Sequence, residues 1–152
     1  MTFAPALTYA FEIRARIDPA LHIGHGDGER LEFTPITGGD VRGPLLNGTV
    51  VAGGGDWSAT RGEVCELEAR YLIRADDGAV IDIVNRGYYR PTADGPDQHD
   101  GPVRVTRPDE YFRTQPVFRT DAPAHRHLAE TVFIGLAREQ DGHIVIRCYA
   151  LD

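Results

Sequence analysis

The feature that most constrains this chain is a two-residue alternation of apolar and polar side chains. From Leu7 to Ile17 the positions Leu7, Tyr9, Phe11, Ile13, Ala15 and Ile17 alternate with Thr8, Glu12, Arg14 and Arg16, the period of a strand with one buried and one wet face. Cys65, Leu67, Ala69, Tyr71 and Ile73 alternate with Glu66, Glu68, Arg70 and Arg74 in the same way. That run ends at Asp76-Asp77-Gly78, and a β-rich run follows from Val80 to Tyr89, the pattern of a hairpin. Thr131 to Ala137 and Ile144 to Tyr149 flank Asp141-Gly142 and predict a second hairpin. Leu31 to Ile36, Leu45 to Ala52, Trp57 to Arg61 and Phe112 to Arg119 are short, β-branched or aromatic, and bounded by Gly or Pro. They bring the expected total to about eight to ten strands. Only Ala124 to Glu130 and Pro108 to Phe112 can make a helical turn, too little for the crossover helices of a parallel sheet.

The expected fold is therefore all-β: a single antiparallel β-barrel domain over residues 1–152, with a central small-molecule pocket. Closure removes the exposed edges that so many strands would otherwise leave, and 152 residues suffice to bury one core. Pro91 to Pro108, polar and rich in Pro and Gly, reads as a surface loop or lid.

Composition then narrows the chemistry. The net charge is −7 and the basic residues are scattered singly, which argues against nucleic-acid or anionic-membrane partners and for a small-molecule ligand or substrate. All sixteen basic residues are arginine. Without lysine there is no side-chain Schiff base and no P-loop lysine, so pyridoxal-phosphate enzymes and imine-forming aldolases are excluded. No apolar stretch approaches the roughly 18–20 residues of a membrane-spanning helix. The N-terminus carries no basic flank followed by an apolar run, so a cytoplasmic location is expected. Cys65 and Cys148 lie on apolar strand patterns far apart and read as small buried side chains, not a disulfide.

Gly38-Gly39, Gly43-Pro44, Asn47-Gly48, Gly53-Gly54-Gly55-Asp56-Trp57, Ala69-Arg70-Tyr71, Asp77-Gly78, Asn85-Arg86-Gly87 and Tyr111-Phe112-Arg113 follow one another in that order. The chain thereby resembles the domain of unknown function 3237 family, also called uncharacterised protein family 0311, from about Leu7 to the end. The resemblance implies a small antiparallel β-barrel and brings no general activity. One segment departs from the family pattern. His125-Arg126-His127-Leu128-Ala129 stands where an aromatic-rich Tyr-x-Trp-Leu-Asn segment is expected, ahead of Val132-Phe133-Ile134-Gly135. Titratable imidazoles thus replace aromatic rings, and this member is expected to differ chemically from its relatives.

The candidate catalytic residues are Asp56, His125 and His127. Asp56 follows a glycine turn and stands beside Trp57, where an apolar wall would raise its pKa toward that of a general base; the competing reading is a carboxylate that holds the turn through backbone N–H bonds. His125 and His127, two apart, would project from one face of a strand and act as acid and base; the alternative is an exposed turn beside Pro123. As metal ligands they would need a third donor such as Asp56 or His25, and His22 with His25 makes a weak motif read as a flexible loop, so no metal is expected.

The candidate substrate-binding residues are Asn47, Trp57, Tyr71, Asn85, Arg86 and Arg113. Asn47, Tyr71 and Asn85 occupy the apolar register, where a polar tip must find a partner. Arg86 and Arg113 suit a carboxylate or enolate oxygen, or pair with nearby acids. No dinucleotide fingerprint or Cys-rich metal spacing occurs, so no cofactor is expected. The favoured function is a cofactor-independent acid/base enzyme (isomerase, cyclase or lyase) acting on a mostly apolar, oxygenated substrate. The alternatives are a non-catalytic binding or carrier protein and an interaction module forming a homo-oligomer.

Overall fold

Alternation of the kind found in the sequence leaves each strand with one face that must be covered, and a closed barrel covers all of them at once. The computed structural model describes residues 4–92 and 110–152. The strands among them are β1 (Leu7–Ile17), β2 (Leu21–Gly26), β3 (Glu29–Arg42), β4 (Gly48–Arg61), β5 (Val64–Ala75), β6 (Val80–Pro91), β7 (Glu110–Arg119), β8 (Phe133–Gln140) and β9 (His143–Leu151), with a 3₁₀ helix at Pro123–Glu130. Neighbours from β3 to β9 pair antiparallel in chain order, β9 pairs with β1, and β1 closes the circle on the second half of β3. The result is an eight-stranded antiparallel barrel, and β2 extends it as a hairpin on the first half of β3, beyond the point where β3 leaves β1. No helix among the described residues is long and apolar enough to cross a membrane.

Three local expectations change. The glycines before Asp56 do not make a turn between two strands but lie inside β4. There β4 runs from Val51 to Gly55 while β5 runs only from Leu72 to Arg70. The surplus forms a bulge with Gly53 at φ 116°, which bends the strand without ending it. Gly54 is needed for close approach, since a Cβ there would fall 2.5 Å from the Tyr71 Cβ and 2.4 Å from the Arg70 oxygen. The segment around His22 and His25, expected as a flexible loop, is β2. Finally, His125 and His127 sit in the 3₁₀ helix and not on a strand, which agrees with the helical turn expected from Ala124 to Glu130. The loop or lid expected at Pro91 to Pro108 falls almost wholly outside the described residues.

The two ends of the barrel differ. One end holds the β5–β6 turn and the 3₁₀ helix, which buries Leu128; we call it the helix end. Behind it, Phe11, Phe118 and Phe133 interlock with centroid separations of 5.3–5.9 Å, within the range where aromatic edges and faces attract. Leu46, Ile73, Ile81 and Ile83 complete this plug, all buried. The other end, the hairpin end, carries the β4–β5 turn and the β2–β3 hairpin.

Candidate functional site

Residues that face one another across the strands can be read directly from the register. Thr34, Asp56, Ala69, Asn85 and Pro116 form one row across β3 to β7. Ser58, Leu67, Gly87, Thr114, Gly135, Cys148 and Phe11 form the next, across β4 to β9 and on to β1. Tyr71 lies two residues beyond Ala69, on the same face of β5. These rows point into the barrel and adjoin the aromatic plug, since Phe11 ends the second row and Tyr71 lies in register with Ile83 and, across it, Phe118.

Four of their polar side chains each carry a buried atom without a partner. Asp56 Oδ1, Tyr71 Oη, Asn85 Oδ1 and Thr114 Oγ1 are cut off from solvent and have no hydrogen-bond partner among the described residues. Each such group normally costs on the order of 1–3 kcal/mol if left unmade, so four in one half of one interior form a conspicuous concentration. His125 Nδ1, His127 Nε2 and Arg147 Nε are also unpartnered but stand elsewhere. Burial pushes the Asp56 carboxyl up to about 6, opposed by a hydrogen bond donated from the Glu68 backbone amide. Burial raises the Tyr71 phenol far above its ordinary range, and Cys148 and Asp56 beside it add to the rise, so the phenol keeps its proton. The Cys148 thiol is raised by burial. Cys65 is raised by burial too, partly offset by hydrogen bonds with Thr60 and Ser58. Both cysteines are free.

Among the described residues no cation is buried in the interior. Asn85 and Thr114 are the buried polar or charged residues among those described, and the arginines on the neighbouring positions point outward. Nor do three or more His, Cys, Asp or Glu residues among those described come together as a metal site. A cavity of about 1010 Å³ is lined by inward-facing Leu67, Gly87 and Thr114 and by outward-facing Trp57, Tyr88 and Arg113. It therefore runs along the outer face and is not the central pocket expected from the sequence.

The structure brings together Asp56, Tyr71 and Asn85 from the expected set and separates the others. Trp57 is 53% exposed and stacks on Phe33 with centroids 4.7 Å apart. It cannot wall the Asp56 carboxylate, because successive residues of a strand face opposite ways; the desolvation of Asp56 comes from the barrel interior. Asn47 is exposed in the β3–β4 connection, where its amide donates to the Gly43 oxygen at 2.9 Å and its Oδ1 accepts from the Gly43 N–H at 3.2 Å. Arg86 pairs outside the barrel with Glu68 at 3.3 Å. Arg113 donates to the Phe112 carbonyl at 3.0 Å and lies over the Tyr111 ring, again on the outer face. His125 Nε2 stands 2.7 Å from Asp77 Oδ2 at the helix end. Asp77 lies in the turn after Ala75, and Ala75 is six strand residues, roughly 20 Å at strand rise, from Ala69, the partner of Asp56; His125 and His127 do not meet Asp56. Thr114 was not anticipated, although its signal was present: Phe112, Thr114, Pro116 and Phe118 alternate with Arg113, Gln115 and Val117.

The protein family described as "Protein of unknown function (DUF3237)" matches residues 5–151. The chain belongs to that family. A UPF0311 protein of Rhodopseudomonas palustris strain TIE-1 is 36% identical over 144 residues, covering 91% of each chain. The crystal structure of a conserved protein of unknown function from the same species superposes with a TM-score of 0.86 at 29% identity, covering 99% of this chain and all of the other. The DUF3237 resemblance in the sequence and the barrel are thus both established. A hydroalkoxylation enzyme of Penicillium herquei, phnH, is 34% identical over 79 residues, about half of each chain (51% and 52%). The structure of an enzyme from that fungus shares the fold, with a TM-score of 0.76 at 20% identity over all of this chain and 98% of the other.

Proposed function

We propose that this protein is a cofactor-independent acid/base enzyme that adds an O–H group across a polarised carbon–carbon double bond of an uncharged, mostly apolar, oxygenated molecule, or catalyses the reverse elimination. The observation that carries the reading is the set of four buried, unpartnered polar atoms on Asp56, Tyr71, Asn85 and Thr114. Such groups are satisfied when a ligand supplies the missing donors and acceptors. The phnH likeness supports the reaction class, since hydroalkoxylation is this addition.

Each step balances with the substrate and these side chains alone. The Asp56 carboxylate takes the hydroxyl proton, and the substrate oxygen bonds to the carbon β to a carbonyl. The double-bond electron pair moves through to the carbonyl oxygen, giving an enolate. Tyr71, which keeps its proton, donates a hydrogen bond to that oxygen, as an oxyanion-hole donor does. The enolate then collapses and its α-carbon takes the proton back from Asp56. A carboxyl pushed up to about 6 is mostly ionised at neutral pH yet basic enough to take and return a proton. The Asp56 carboxylate, with no buried cation among the described residues, disfavours carboxylate or phosphate substrates.

The test uses 2′-hydroxychalcone, whose ring closure to flavanone is an addition of this kind and is followed by loss of enone absorbance. The wild type is expected to accelerate closure over buffer. Asp56→Asn is expected to lose about 10²–10⁴ of that rate while retaining affinity. A variant as active as wild type per folded molecule would remove Asp56 as the base. Tight binding of hydroxy-enones with no acceleration by the wild type would overturn the enzymatic reading in favour of a carrier.

A further inference from the structure

Thr114 is held in an unusual slot. Its register partners on either side are Gly87 on β6 and Gly135 on β8. A Cβ on Gly87 would fall 2.8 Å from the Thr114 methyl, and one on Gly135 would fall 2.1 Å from its hydroxyl oxygen. The methyl is therefore lodged over one glycine and the hydroxyl over the other. Threonine already has a stiff χ1, and this packing leaves it one orientation. The residue is 3% exposed, and its Oγ1 is cut off from solvent with no partner among the described residues. Around it the β7–β8 ladder is only two residue pairs long, Arg113 with Leu136 and Thr114 with Gly135. A side chain kept for packing alone would be served better by valine, which has the same shape and no hydroxyl to desolvate.

We infer that Thr114 is a specificity-determining residue that anchors a second, non-reacting oxygen of the substrate, with Gly135 keeping open the space in which its hydroxyl is presented. This rests on the proposed reading of the same interior and deepens it: the substrate class becomes an uncharged molecule with an oxygen, hydroxyl or carbonyl, in addition to those at the reacting centre. The anchor acts on recognition and not on the proton transfer, which belongs to Asp56.

Equilibrium binding of chalcone, 2′-hydroxychalcone and 2′,4′-dihydroxychalcone to wild type, Thr114→Val, Thr114→Ser and Gly135→Ala tests the assignment. The wild type is expected to favour the dihydroxylated probe over 2′-hydroxychalcone by about 5-fold or more, the worth of one neutral hydrogen bond. Thr114→Val should erase that preference and raise the melting temperature, because it removes an unpaired buried hydroxyl; a merely structural threonine predicts the same rise in stability with the preference left intact. Thr114→Ser should retain the preference. Gly135→Ala, which keeps the hydroxyl but pushes it aside, should lose it. Persistence of the preference in Thr114→Val, or its absence from the wild type, overturns the anchor. In Asp56→Asn the binding preference should survive while turnover is lost, so failure of the base and failure of the anchor register in different measurements.

Discussion

At the helix end of the barrel His125 meets Asp77 at 2.7 Å and three phenylalanine rings fill the interior behind Leu128; the buried polar atoms without a partner there, His125 Nδ1 and His127 Nε2, belong to the 3₁₀ helix and not to inward strand positions. Toward the hairpin end a carboxylate, an amide and a hydroxyl, with a phenol level with the plug, line the same interior with polar atoms that no described residue satisfies. The two halves use the same strands, β1 and β3 to β9, and differ only in what the inward positions carry. Structural interiors pair their polar groups or do without them, so the contrast separates the half that holds the fold from the half proposed to hold a ligand.

The largest expected effect breaks the first half. Phe118, 2% exposed, touches both other rings of the plug, and Phe118→Ala should cost about 3–5 kcal/mol in denaturant melts. If the halves are as separate as described, probe affinity per folded molecule changes little. A loss of affinity matching the loss of stability would show the plug and the polar half to be one unit.

The strands themselves could be read before the structure. Leu7–Ile17 has the predicted bounds, and both hairpin turns fall where Asp-Gly pairs stand. The interior site was read only in part, for two physical reasons. A run of glycines serves equally as a turn or a bulge, and only the continuity of β5 opposite shows that β4 passes through it. Taking it for a turn put Trp57 beside the Asp56 carboxylate, whereas strand alternation sends them to opposite faces. The same alternation, applied strictly to β6 and β7, sends Arg86 and Arg113 outward once Asn85 faces inward, and it nominates Thr114. His125 and His127 are a different case: the helical turn expected from Ala124 to Glu130 is present as the 3₁₀ helix, but nothing local in the sequence says that it stands beside Asp77 and away from Asp56.

The next effect concerns the polar half. A carboxyl moved from 3.8 to about 6 on folding binds a proton in the native state across that interval while the unfolded state does not. Stability therefore falls as pH rises from about 4 to about 6 and stays lowered above it. At about 1.4 kcal/mol per pH unit the cost at neutral pH is on the order of 2–3 kcal/mol. Asp56→Asn should be more stable than wild type at pH 7 by about that amount, with its advantage shrinking toward pH 4. Melting the two proteins across pH 4–8 checks the sign. A less stable Asn variant at every pH would mean that the bond from the Glu68 amide outweighs desolvation, and that Asp56 is there to hold β4 to β5.

The smallest expected effect lies at the helix end and bears on the imidazoles. The Ala79 backbone amide and the His125 side chain hold the exposed Asp77 carboxyl below its ordinary value, so this contact contributes while Asp77 is ionised and fades as pH falls through its lowered value. Because Asp77 faces water, screening leaves the contact weak, and His125→Gln should lower the melting temperature much less than Phe118→Ala does. The loss should shrink in high salt. Turnover of 2′-hydroxychalcone and the pH 4–6 slope assigned to Asp56 should both be unchanged, since roughly 20 Å of strand separates the two positions. His127→Gln provides the second arm: its imidazole is half-buried in the cap with Nε2 unpartnered, and its replacement should likewise affect stability and not rate. If either variant lost turnover as Asp56→Asn is expected to, the boundary between the halves would fall, and the imidazoles would have to reach the reacting centre by a rearrangement of the 3₁₀ helix.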